Sequence, residues 1–125
     1  MIVLSKEQLL LLHEQLIKRY GGAYGVRDEG LLDSALNAPF QSFDGYDLFP
    51  TVIEKAVRLC IGLIKNHPFH DGNKRIGAMA LLITLDLNMI SIKTNSTELS
   101  KIILLLASGD VDDRGLLRWV KDRIL

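Results

Sequence analysis

The chain has 125 residues, 48% of them hydrophobic and 24% charged, with 15 basic residues against 15 acidic ones. That composition excludes disordered, collagen-like and low-complexity classes, and the balanced charge leaves no electrostatic footprint for non-specific nucleic-acid binding. Area scaling lets a chain of this size bury about two-thirds of its extended surface, which suffices for a single domain spanning residues 1–125.

Cys60 is the only cysteine, so no intrachain disulfide can form. This fits a reducing compartment, and a cytoplasmic protein is expected. Met1 to Leu12 contains Lys6 and Glu7 and lacks a small-residue cleavage site, so it does not read as a signal peptide. No apolar run reaches the roughly 18 residues of a membrane span. Neither a membrane nor a directly bound nucleic acid is expected as a partner.

In chain order, Ser5-Lys6-Glu7-Gln8 is a capping-box pattern, with Leu4 and Leu9 placed as a hydrophobic staple. It predicts a helix to Tyr20 whose stripe is Leu9, Leu12, Leu16, Ile17 and Tyr20, stopped by Gly21-Gly22. Asp28 caps a short second helix carrying Leu31, Leu32, Ala35 and Leu36, which ends before Pro39. From Pro39 to Pro50 turn formers and aromatics alternate without a helical period, which predicts a loop or flap with short extended pieces.

A third helix runs from Pro50-Thr51 to Asn66, burying Val52, Ala56, Leu59, Cys60 and Leu63, with Ile53, Val57 and Ile64 widening the stripe. So wide an apolar face predicts a central helix. A fourth spans Asn73 to Leu87, apolar nearly all round, with Asn88 as its αL-prone stop. Ile90 to Thr94 alternates like a short strand, and Asn95-Ser96-Thr97 caps a fifth helix reaching Ser108 through Ile102, Ile103 and Leu106. Gly109 breaks it. Asp112 or Asp113 caps a sixth, burying Leu116, Leu117, Val120 and Ile124. Met79, Met89 and Trp119 lie in apolar patterns and read as core, and His13, without companions, reads as structural. The sum is an all-α bundle of about six helices with an aromatic flap loop and at most one short strand pair.

The densest polar cluster in this apolar chain is His67-Pro68-Phe69-His70-Asp71-Gly72-Asn73-Lys74-Arg75, between the two most buried helices. Pro68 closes the third helix, and Gly72 permits a close backbone approach where the fourth begins. The first N–H groups of a helix lack internal partners and, with the macrodipole, form an anion site. Lys74 and Arg75 in that first turn are unfavourable to the isolated helix by about 0.3–1 kcal/mol each, a conflict that a bound phosphate relieves. Asp71 adds a hard oxygen ligand suited to Mg²⁺, and His67 is the natural proton acceptor for an attacking hydroxyl. His70 sits between them and reads as solvent-facing. A metallophosphohydrolase built on His70-Asp71 lacks the further His and downstream Asp that such a site needs, since only Asp86, in a heavily apolar helix, is available.

These residues resemble the Fic/Doc family, whose Fic signature runs His-Pro-Phe-x-Asp/Glu-Gly-Asn-Gly-Arg-x-x-Arg. The sequence matches it from His67 through Asn73 and at Arg75, but carries Lys74 for the second Gly and Ala78 for the final Arg. Both departures resemble the Doc (death-on-curing) branch, although Gly72 keeps the Fic-like residue. Gly25 to Leu32 and Phe49-Pro50-Thr51 are also similar to Doc-like chains. The resemblance implies that His67 is the general base, that Asp71 binds Mg²⁺, and that Gly72, Asn73 and the following backbone cradle phosphates. Arg75 clamps a phosphate, Lys74 stands beside it, and Phe69 anchors the loop. It implies a toxin of a toxin–antitoxin system that uses ATP to modify a hydroxyl side chain of a host protein, for Doc a threonine of elongation factor Tu.

Most Fic proteins transfer AMP, whereas Doc presents the γ-phosphate. Lys74 favours the second, because it fills the space a glycine leaves for a β-phosphate and adds a charge worth about 4 kcal/mol to a phosphate oxygen about 4 Å away. Ala78 removes a guanidinium that AMP-transferring members use. Adenylylation and a degenerate, non-catalytic binding module are the alternatives. The resemblance also gives the aromatic loop a role beyond capping the core, as a flap that holds a target segment by backbone pairing. Many Fic proteins inhibit themselves through a Ser/Thr-x-x-x-Glu-Gly/Asn helix; the only Glu-Gly is Glu29-Gly30, with Gly25 four residues before it. Restraint is therefore expected from another chain, a cognate antitoxin.

Overall fold

Local capping chemistry sets most helix boundaries in the computed structural model, which describes residues 1–125. The order is α1 (Lys6–Tyr20), α2 (Glu29–Asn37), a 3₁₀ turn (Ala38–Phe40), β1 (Ser42–Phe43), β2 (Tyr46–Asp47), α3 (Val52–Lys65), α4 (Asn73–Leu87), α5 (Ser96–Ser108) and α6 (Asp113–Lys121). Ser5 accepts from the Gln8 N–H at 3.1 Å and the Ser5 N–H donates to Gln8 Oε1 at 2.9 Å, completing the capping box of α1. Asp28, Thr51, Asn95 and Asp112 each accept from the third residue on, at the starts of α2, α3, α5 and α6. Lys6 ties α1 to α2 through Asp33 at 2.8 Å and Glu29 at 2.9 Å.

Six helices and one two-stranded antiparallel sheet make this an all-α fold. The sheet is a hairpin pairing Ser42 with Asp47 and Phe43 with Tyr46. Its turn residues Asp44 and Gly45 both sit at positive φ (51° and 80°), the geometry whose twist matches paired strands. Phe43 and Tyr46 are 75% and 77% exposed, so these aromatics do not cap the core.

α3 is the axis. It packs against α2, α4, α5 and α6 and contributes to both core clusters. The larger gathers Ala56, Cys60, Ile61, Leu81, Leu85, Leu106, Leu116 and Val120; the smaller gathers Leu9, Leu32, Leu63, Phe69 and Ile76. Close approach is bought by glycine on two sides: a Cβ on Gly62 would stand 3.1 Å from Ala35 of α2, and one on Gly77 would stand 2.7 Å from Ile64 across the α3–α4 contact.

Several expectations are corrected. Asn88 does not adopt αL (φ −105°), because its side-chain amide is held by the Ile2 backbone and the Thr84 carbonyl. Met89 takes the positive φ instead and is 92% exposed rather than core. Ile90 to Thr94 forms no strand, only a single bridge between Ile92 and Ile124, which leaves Ile124 outside α6 and exposed. Val52 is half-buried because it opens the first turn of α3, and Tyr20 is exposed at the end of α1. Lys55, by contrast, is buried: its ammonium donates to the Pro39 carbonyl at 3.3 Å and to the Phe49 carbonyl, with Asp47 at 3.6 Å, so both ends of the flap segment are tied to α3. No helix is long and apolar enough to cross a membrane.

Candidate functional site

The loop from His67 to Gly72 joins α3 to α4, and its shape is fixed from three directions. From below, Phe69 is fully buried in the smaller core cluster, its ring stacked on that of His13 with centroids 3.7 Å apart and planes 10° from parallel. From within, the Asn73 side chain spans the Phe69 backbone, accepting its N–H and donating to its C=O, both at 3.0 Å. From the side, the strand-like segment after α1 clamps it: the Arg27 and Asp28 N–H groups donate to the Pro68 carbonyl at 2.7 and 3.1 Å, and the His70 N–H to Gly25 at 3.2 Å. His13 Nε2 lies 2.7 Å from the Asp71 carbonyl oxygen and so donates to it.

This scaffold presents a small set of free groups. His67 is exposed, on a backbone at φ 53°, a conformation that costs a non-glycine residue about 1–3 kcal/mol and is uncommon ahead of proline. Asp71 accepts the Ala23 N–H on Oδ2 at 2.6 Å and has Oδ1 unpartnered. Gly72 opens α4 at φ 78° with no side-chain cap, in contrast to the other five α-helices. Since the first internal bond of α4 returns from Ile76 to Gly72, the N–H groups of Asn73, Lys74 and Arg75 have no partner within the protein.

Lys74 and Arg75 are exposed and neither meets a carboxylate. The Arg75 guanidinium instead rests 4.2 Å from the centroid of the Tyr20 ring, which holds it without neutralising it. All these residues face one cleft of about 710 Å³. His67, Asp71, Gly72, Asn73, Lys74 and Arg75 line its polar end. Tyr20, Met79, Leu99, Ile103 and Leu104 make the apolar walls between α1, α4 and α5. Nowhere do three or more His, Cys, Asp or Glu side chains gather. A divalent cation here would rest on Asp71 and on ligand oxygens, a donor set that fits Mg²⁺.

The structure thus brings His67, Asp71, Gly72, Lys74 and Arg75 together, leaves His70 exposed outside the cleft, and spends the Asn73 side chain on Phe69, so that Asn73 offers the cleft only its backbone N–H. Sequence reasoning read His13 as structural, as it is, but without its partners at the loop, and it missed the contacts of Tyr20 and Arg27 with the site. His13 carried a signal: it lies four residues from both Leu9 and Ile17, a polar side chain on the buried stripe of α1. Arg27 carried none.

Fold and site together define a small helical domain organised around a His-to-Arg loop that opens onto an uncapped helix. The chain belongs to the Fic/Doc family, whose model matches residues 3–85, the span from before α1 to the last turns of α4. It is 38% identical over 73 residues to the toxin Doc of Mycolicibacterium smegmatis, covering 58% of this chain and 56% of that protein. It is 28% identical over 108 residues to the protein kinase doc of Escherichia phage P1, covering 86% of this chain and 84% of that protein. The first match spans little more than half the length of that relative.

Proposed function

We propose that the protein is a Doc-type toxin of a toxin–antitoxin system that transfers the γ-phosphate of ATP to a hydroxyl side chain of a host protein, with a threonine of elongation factor Tu as the target. The observation that carries this reading is the convergence, in one cleft, of an exposed imidazole, a free carboxylate oxygen and a helix start with three unpartnered N–H groups and two unpaired cations. Such a constellation suits phosphoryl transfer, where positioning and charge stabilisation supply most of the catalysis.

In the reaction, His67 accepts the proton as the target oxygen forms its bond to the γ-phosphorus, and the bond from that phosphorus to the β,γ-bridging oxygen breaks to leave ADP. The N–H groups of Asn73, Lys74 and Arg75 hold phosphate oxygens, and the Lys74 and Arg75 side chains offset the charge that shifts toward the leaving oxygen. Mg²⁺, held by Asp71, supplies further neutralisation of the phosphates when bound. Phe69 keeps the loop in register, so that base and phosphate site stay at a fixed separation.

Glu29-Gly30 does not complete a Ser/Thr-x-x-x-Glu-Gly/Asn segment, and a cognate antitoxin is the proposed restraint. The protein, Mg²⁺ and a bacterial extract are incubated with ATP labelled at the α or the γ position. Label on a protein from the γ position only, lost in His67→Ala, is the expected result. Label from the α position only would identify an adenylyltransferase, and label from neither a binding module without turnover.

A further inference from the structure

Three consecutive carbonyls at the end of α3, those of Asn66, His67 and Pro68, all accept hydrogen bonds from residues 27 and 28. Two of these bonds come from one planar group. Arg27 Nε donates to the His67 carbonyl at 2.7 Å and Arg27 Nη2 to the Asn66 carbonyl at 3.1 Å. The guanidinium meets no carboxylate and does not line the cleft, so its directed interactions are with the backbone that carries the imidazole.

That backbone needs holding. His67 sits at φ 53° ahead of Pro68, where the preceding residue favours extended geometry, and relaxation toward that geometry would turn the Cα–Cβ bond and carry the ring out of the cleft. Asn66 is the C-cap of α3, and its carbonyl and the neighbouring His67 carbonyl lie at the negative end of the helix dipole, where a cation is favoured. A lysine could meet the charge, but as a compact point charge it lacks the rigid planar fork that fixes the direction of both bonds at once.

We propose that Arg27 is a positioning residue that fixes the heading of the His67 imidazole toward the phosphate site. The proposal rests on the reading of His67 as the general base. Arg27 acts through the main chain and touches neither nucleotide nor target.

The test compares Arg27→Ala, Arg27→Gln and Arg27→Lys with the wild-type chain, after thermal melts establish that each is folded. Arg27→Ala and Arg27→Gln are expected to lower kcat about 10- to 100-fold, the cost of misplacing a reacting group by about an ångström, with KM for ATP within about twofold. Arg27→Lys recovers part of the rate, and millimolar guanidinium restores part of it in Arg27→Ala. In NMR spectra of the same variants without nucleotide, the His67 ring signals broaden or split, while the Gly72 amide signal is unmoved. An unchanged kcat with a single wild-type His67 ring signal overturns the proposal. So does an equal loss of ATP binding, which would mean that the whole site had collapsed. If the wild-type chain transfers no phosphate, the proposed reaction falls, and the ring signals alone still decide whether Arg27 holds His67.

Discussion

Asn73 shows how much one side chain can organise. Its amide satisfies both backbone groups of Phe69, a residue too deeply buried for water to replace the lost bonds, and it is itself buried. Asn73→Ala leaves a buried donor and a buried acceptor unmet, each costing about 1–3 kcal/mol. A total loss of about 2–4 kcal/mol in denaturant unfolding is expected, whereas Asn73→Asp, which still accepts the Phe69 N–H, loses about half as much. Cys60 gives a second test, in pH. Burial pushes its thiol up from the ordinary 9.0 to about 12. Below pH 9 both the folded and unfolded thiol are protonated and the group contributes nothing. Above it the unfolded chain sheds the proton while the folded one keeps it, so stability falls, by about a factor of ten in the folding equilibrium per pH unit up to the folded value. Cys60→Ala should flatten that part of the alkaline stability curve, measured by urea unfolding from pH 8 to 11.

α3 and α4 touch where Gly77 leaves room for Ile64, and this contact joins the helix ending in His67 to the helix beginning after Gly72. Helix propensity alone favours Gly77→Ala by about 1 kcal/mol. Packing opposes it, because the new methyl would lie 2.7 Å from Ile64 Cγ1 and 3.3 Å from the Cys60 carbonyl. Overpacking of this kind costs about 1–3 kcal/mol, so a net loss of up to about 2 kcal/mol is expected. Gly30 of α2 is the control: a Cβ there meets only its own cap at 3.4 Å, and Gly30→Ala should leave stability unchanged or raise it by a few tenths to about 1 kcal/mol. Thermal unfolding of the two variants side by side gives opposite signs if the close approach is what Gly77 serves. Equal stabilisation would mean that the α3–α4 spacing yields freely.

The helices were legible in the sequence because what starts and stops them is local: Ser5, Asp28, Thr51, Asn95 and Asp112 each act on an N–H three residues ahead, and Gly109 supplies its own αL stop. The motif loop was legible for the same reason, as one run of residues. What escaped lies between distant positions: His13 with Asp71, Arg27 with His67, Tyr20 with Arg75, and Lys55 with both ends of the flap. No periodicity announces such pairs, since each joins segments that meet only in the tertiary fold. The same arrangement bears on how the molecule unfolds. α3 gives Ala56, Cys60 and Ile61 to one cluster and Leu59 and Leu63 to the other, so neither can come apart without exposing the helix that supports its neighbour. Trp119, the only tryptophan, packs against the larger cluster, whereas helical circular dichroism reports on both. Leu63→Ala removes a fully buried side chain from the smaller cluster and should cost about 2–5 kcal/mol. Because α3 is shared, the Trp119 fluorescence and circular dichroism midpoints in urea should fall together by the same amount, as a two-state transition requires. If the Trp119 midpoint stays at the wild-type value while part of the helical signal is lost early, the two clusters fold independently and α3 does not couple them.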